Sequence, residues 1–161
     1  MARLAGISAN VNAFLDLIAW SEETSSIPDS DDGYKAIVGS TPEKPILMAA
    51  YALHPRRKVW MDKARVWSTA AGRYQIIART WDRCLKILHL PDFGPESQDR
   101  AAILLIQGRK AYDDVEAGRV QDAVRRCAGE WASFPGNTYG QHEDSMQALL
   151  DQFVKLGGDV H

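Results

Sequence analysis

Cysteine is scarce in this 161-residue chain: there are two, Cys84 and Cys127, far apart and in no CxxC pattern. That excludes a disulfide or thiolate–metal framework, and both residues fall in helical, apolar stretches that read as buried free thiols. Long apolar runs are missing as well. No stretch approaches the roughly 18 residues of a membrane span. The start, Met1-Ala2-Arg3-Leu4-Ala5-Gly6-Ile7, has one basic residue and lacks the apolar core of roughly 7–15 residues that a secretory signal needs. The expectation is a chain made in the cytoplasm, without stable membrane insertion. An excess of either charge is also lacking, since 19 basic and 21 acidic residues leave a net charge of −2. The basic runs at 54–58 and 63–65 carry no interleaved aromatics at stacking spacing, so nucleic acid is not an expected partner. Histidine is sparse, and His54, His89, His142 and His161 form no HExxH and no Cys/His set, so neither metal nor cofactor is expected. There is no GxSxG elbow and no Walker loop.

What remains is ample for one core. Hydrophobic residues make up 45% of the chain and include five tryptophans. A domain of this length buries roughly 70% of its unfolded surface, so residues 1–161 are expected to form a single domain. Ser8 is placed to cap a first helix running to about Ser21. From Glu23 to about Trp67 the composition turns to Ser, Thr, Asp, Pro and Gly, which reads as a small irregular β lobe. Within it Tyr34–Val38 reads as a strand, and Ile46–Leu53 fits either a buried strand or a helical turn. A second helix is expected from a Ser68-Thr69 cap to about Leu88, with Ile77, Trp81, Cys84, Leu85 and Leu88 on its buried stripe. Further helices follow Pro95, Lys110 and Val120, with 101–106 apolar on all sides. A last one, from about Glu143 to Leu156, ends at Gly157-Gly158.

The most informative stretch is the end of the first helix. At roughly 100° per residue, Val11, Phe14, Leu15 and Ile18 share an apolar sector, and Glu22 falls roughly 20° from Val11 within it. Glu23 falls at roughly 120°, between Asn12 and Asp16 on the polar side. A carboxyl held against apolar groups has a raised pKa, the property of a general acid working near neutral pH. Asp29, Asp31 and Asp32 follow on the first polar loop, and a glutamate with an aspartate nine residues on is compatible with a two-carboxylate glycosidase. Gln75, in Ser68-Thr69-Ala70-Ala71-Gly72-Arg73-Tyr74-Gln75, offers an amide donor and acceptor suited to an acetamido group, or equally to local capping. Trp131 and Phe134 read as core, whereas Tyr139 and Gln141 read as a cleft rim.

Together these blocks carry a resemblance. Phe14-Leu15-Asp16…Ala19-Trp20-Ser21-Glu22, Gly33-Tyr34…Ile37-Val38-Gly39, His54-Pro55-Arg56, Ser68-Thr69…Ala71-Gly72-Arg73-Tyr74-Gln75, Asp92-Phe93…Ser97-Gln98-Asp99 and Trp131-Ala132-Ser133…Pro135-Gly136…Tyr139-Gly140-Gln141 occur in this order in lambda-type phage endolysins. The resemblance spans roughly 14–158. It implies a lysozyme-like α+β fold, mostly helical, whose β lobe flanks a saccharide cleft. It also implies a lytic transglycosylase that cuts peptidoglycan glycan strands between N-acetylmuramic acid and N-acetylglucosamine, leaving a 1,6-anhydro end. Glu22 matches the catalytic glutamate, with Gln75 at the N-acetylated sugar and Tyr34, Ser68, Tyr139 and Gln141 completing the expected substrate-binding set. No cofactor is implied. The family further implies a monomer stored in the host cytoplasm that reaches the periplasmic wall through a pore made by a separate holin. Two departures stand out: Glu23 occupies a position where the family has glycine, and the loop from Glu22 to Gly33 is shorter. Asp31 keeps a hydrolytic alternative open, because its spacing from Glu22 is that of T4-type lysozymes. The threonine completing that motif is replaced by Ile37.

Overall fold

A computed structural model describes residues 1–62, 64–136 and 144–161. The molecule is built around α1 (Ala9–Ser21), whose Ser8 cap accepts from the Val11 amide. Ala13 to Ala19 are all buried, so this first helix is the buried axis of the molecule. The polar side expected at Asp16 is itself buried, and Arg73 Nη2 meets its carboxylate at 2.7 Å. Around α1 stand α2 (Ala78–Leu88), α3 (Pro95–Gly108), α4 (Tyr112–Glu116), α5 (Val120–Cys127) and α6 (Met146–Lys155). Their inner faces supply Trp81, Leu105, Ile106, Val124, Leu149 and Phe153 to one continuous core, and Cys84 and Cys127 are buried free thiols within it. The helix α6 starts at Ser145, whose hydroxyl accepts from the Ala148 amide. It ends where the Gly157 and Gly158 amides return to Val154 and Phe153.

Two expected elements are different in the structure. The segment Tyr34–Val38 is no strand: the amides of Tyr34, Lys35 and Ala36 bond to Asp31, Ser30 and Gly33, which winds the chain through successive turns. Only single bridges remain, Ala36 with Leu47 and Ile37 with Ala71. The second helix does not begin at Ser68. Gly72 and Gln75 have φ of +79° and +46°, which no right-handed helix accommodates, and Ala71 instead bridges Ile76 across a tight turn. Thr69 still caps that helix, but from nine residues upstream, its hydroxyl accepting from the Ala78 amide at 3.0 Å. With that later start the buried stripe narrows to Trp81 and Cys84, and Ile77 and Leu85 are partly exposed. The ordered part of the β lobe is one antiparallel hairpin, β1 (Val59–Met61) and β2 (Val66–Ser68), in which Trp60 faces Trp67.

Two buried polar knots fasten the lobe to the helices. Arg73 lies between Asp16 and Asp32, with its guanidinium carbon 5.3 Å from the centre of the Tyr34 ring. Asp99, on α3, is fully buried and accepts from the amides of Arg3 (2.6 Å) and Leu4 (2.9 Å) and from the hydroxyls of Tyr34 (2.8 Å) and Tyr74 (2.6 Å). Both knots adjoin the 71–76 turn, so the position of that turn relative to α1 is set by buried hydrogen bonds and ion pairs, with Arg73 Nε alone of that guanidinium left without a partner among the described residues.

Candidate active site

The helix α1 ends at Glu22, whose amide still bonds to Ile18 (2.9 Å), while the Glu23 amide turns back to Trp20 (3.0 Å). Glu23 adopts φ +59° and ψ +8°, the left-handed conformation that closes many helices. That geometry accounts for the family's glycine here, because glycine takes it without steric cost. It also sends Glu23 into solvent and leaves Glu22 partly buried against the core.

The Glu22 carboxyl faces a cleft between the β lobe and the helices. The cleft has two compartments, of about 230 Å³ and 520 Å³. Glu22, Val38, Met61 and Gln75 line both, and so mark their junction. Ser40 and Thr41 lie in the smaller compartment, and Ser68, Trp67 and Trp131 in the larger. Burial among apolar groups is the main reason that the Glu22 pKa stands at about 7. Hydrogen bonds from the Ser133 hydroxyl (2.7 Å to Oε1) and backbone amide pull it down, and the charges of Asp144 and Glu23 push it up. Half of such carboxyls carry a proton at neutral pH, as an acid in a cleft requires.

The residues singled out from the sequence divide clearly. Glu22, Gln75 and Ser68 are brought together in the cleft. Gln75 sits on the left-handed turn, with Nε2 donating to Gly72 O at 2.9 Å, which leaves its amide oxygen as the free end. Ser68 Oγ accepts from the Ala70 amide. Tyr34 is not a substrate-binding residue: its ring is fully buried and its hydroxyl donates to Asp99, so its work is structural. Asp31 lines neither compartment. Arg3 and the Tyr51 hydroxyl engage its two carboxylate oxygens, and those bonds hold its pKa below the ordinary aspartate range. Tyr139 and Gln141 lie outside the described residues. Trp131 and Phe134 are buried core side chains, as their pattern suggests, and Trp131 Nε1 donates to Tyr74 O across the base of the cleft. Sequence reasoning missed Ser133 and Asp144 as partners of Glu22, because both reach it from more than a hundred residues away. Among the described residues no group of three or more His, Cys, Asp or Glu could hold a metal ion.

A family model described as Endolysin matches residues 12–160. The chain belongs to the endolysin family. It is 43% identical over 154 residues to the endolysin of Escherichia phage P2, covering 92% of this chain and 93% of that one. To the endolysin of Escherichia phage lambda it is 41% identical over 150 residues, 92% of this chain and 91% of the other. In three dimensions it is similar to bacteriophage lambda lysozyme complexed with a chitohexasaccharide, with TM-score 0.89 and 39% identity over 98% of this chain and 100% of that one. A second lambda lysozyme structure gives 0.86 and 37%, with the same coverage. The lysozyme-like α+β architecture is therefore that of an endolysin.

Proposed function

We propose that the chain is a peptidoglycan lytic transglycosylase in which Glu22 is both acid and base. The carrying observation is that Glu22 is the one carboxyl among the described residues at the junction of the two compartments, with its pKa raised to about 7, while Asp31 is engaged elsewhere. The protonated Glu22 gives its proton to the glycosidic oxygen as the C1–O bond of the muramoyl residue breaks, and positive charge builds at C1. The carboxylate left behind takes the proton of the C6 hydroxyl, and O6 bonds to C1. The sugar ends as a 1,6-anhydro ring, the glutamate is again protonated, and no water is consumed. Gln75 meets an N-acetyl group with its free amide oxygen, and Ser68 lies along the wall of the larger compartment. The chitohexasaccharide in the lambda lysozyme complex supports an amino-sugar strand as occupant of the cleft. A hydrolytic route through Asp31 has no support in this arrangement.

The same reading has the enzyme work as a monomer, made in the host cytoplasm and released to the periplasmic wall through a holin pore. Among the described residues no helix is long and apolar enough to cross a membrane. The test is Glu22→Gln, which keeps size and hydrogen bonding but removes the proton. Turnover on purified sacculi is expected to fall by at least about a thousandfold with an unchanged melting temperature. Wild-type digests are expected to show anhydro-muramoyl ends in mass spectra. Undiminished activity of the variant, or reducing muramic ends throughout, would refute the proposal.

A further inference from the structure

Building on Glu22 as the acid, we infer that Ser133 and Asp144 are positioning residues that hold its carboxyl and act in opposite senses on its proton. They form one connected unit. Ser133 Oγ donates to Glu22 Oε1 at 2.7 Å, and the Asp144 amide donates to Ser133 O at 2.9 Å. The Ser21 hydroxyl, one residue before Glu22 on α1, donates to Asp144 Oδ2 at 2.6 Å. Thus the helix end bearing the acid is bonded to the aspartate, the aspartate to the serine, and the serine to the acid. Donation by Ser133 favours the ionised carboxyl, whereas the negative charge of Asp144 favours the protonated one.

Other charges facing Glu22 are few among the described residues. Glu23 points to solvent from the turn after α1. Glu130, after α5, lines the larger compartment and is paired with Arg109 at 2.8 Å. The facing β-lobe wall presents Val38, Ser40, Thr41 and Met61, none of them titratable. Among the described residues the protonation of Glu22 is thus set first by burial, then by the Ser133 hydroxyl and amide, then by the charges of Asp144 and Glu23. A single side chain needing both states in one turnover gains from such opposition, since neither form is strongly preferred.

Asparagine at 144 still accepts from Ser21 and keeps the backbone bond to Ser133, so Asp144→Asn removes the charge while keeping both of those bonds. Ser133→Ala removes the hydroxyl and leaves the Ser133 amide. The experiment follows the Glu22 side-chain carboxyl by ¹³C NMR through a pH titration and, in parallel, measures turnover on purified sacculi against pH. For Asp144→Asn, the midpoint and the alkaline limb of the rate profile are expected to move to lower pH by roughly half a unit. For Ser133→Ala they are expected to move to higher pH by a similar amount. Midpoints within about 0.2 unit of wild type, shifts of the same sign, or a rate loss uniform in pH would overturn the inference. If one variant fails to fold, the signed shift of the other carries the test. The underlying assignment fails separately: an active Glu22→Gln sinks it whatever the midpoints do, whereas an inactive Glu22→Gln with unmoved midpoints sinks only the pair.

Discussion

Replacing Asp99 by alanine should remove about 4 kcal/mol of stability. The side chain is fully buried and accepts four hydrogen bonds, two from backbone amides at the start of the chain and two from the tyrosine hydroxyls. Alanine leaves four donors without an acceptor, and at about 1–1.5 kcal/mol each the loss is about 5 kcal/mol. The two hydroxyls are close enough to bond to one another, which recovers about 1 kcal/mol. Against the 5–15 kcal/mol typical of a domain, that is a large fraction. Urea unfolding followed by circular dichroism reads it directly. With a slope of about 2 kcal/mol per molar, the midpoint should fall by about 2 M. Asparagine keeps one acceptor oxygen for the tyrosines and turns its amide group toward Arg3 and Leu4, so Asp99→Asn should fall between wild type and alanine. A midpoint shift under about 0.5 M for alanine, with an unchanged slope, would refute the view that this carboxylate ties the lobe to the helices.

Gly72→Ala should lower the melting temperature by about 8 °C: a Cβ there would lie 2.2 Å from Gln98 Oε1, on a backbone at φ +79°, at a combined cost of about 3 kcal/mol. Thermal melts check this, and an unchanged melting temperature would mean that the 71–76 turn can relax freely. His54 is buried with Nε2 2.9 Å from Ile76 O and Nδ1 accepting from the Arg56 amide, an arrangement of the neutral ring, and burial lowers its pKa. Its stabilising contribution is therefore complete above the ordinary histidine value of about 6.5 and is lost as pH falls through the depressed folded value. Urea midpoints between pH 7.5 and 5 should fall less steeply in His54→Gln than in wild type; identical slopes would refute this.

The helices were legible because their signals are local. Ser8 caps within three residues and Pro95 opens α3, so composition and spacing suffice there, whereas the last helix is capped by Ser145 and starts later than the expected Glu143. Glu22 was legible for the same reason, since the wheel of one helix separates it from Glu23. The β lobe was not. Tyr34–Val38 has the residues of a strand, yet the amides of its first three residues are taken by the preceding turns, and nothing in the local pattern signals that. The 70–77 segment has the composition of a helix, because alanine, arginine and glutamine favour helices and only Gly72 speaks strongly against one. The bridge to Ile37 and the close approach of Gln98 decide it, and both are distant in sequence. Tyr34 was chosen for its place in a family block, and only its burial shows it to be structural. For Asp144 no local signal existed: its relation to Glu22 arises when α6 packs against α1.

The long reach of these contacts bears on the order in which the site is assembled. Ser133 lies 111 residues beyond Glu22, and the Ser21–Asp144 bond spans 123. At the roughly 5–20 residues per second of translation, about ten seconds separate the synthesis of the glutamate from that of its partners. During that interval the first helix has no α6 to pack against, and Glu22 has neither the Ser133 hydroxyl nor the Asp144 charge beside it. The setting that raises the Glu22 pKa is therefore assembled only after the chain has been made through Asp144. A prematurely terminated chain lacking the last thirty or so residues would likewise carry its glutamate without the setting that arms it.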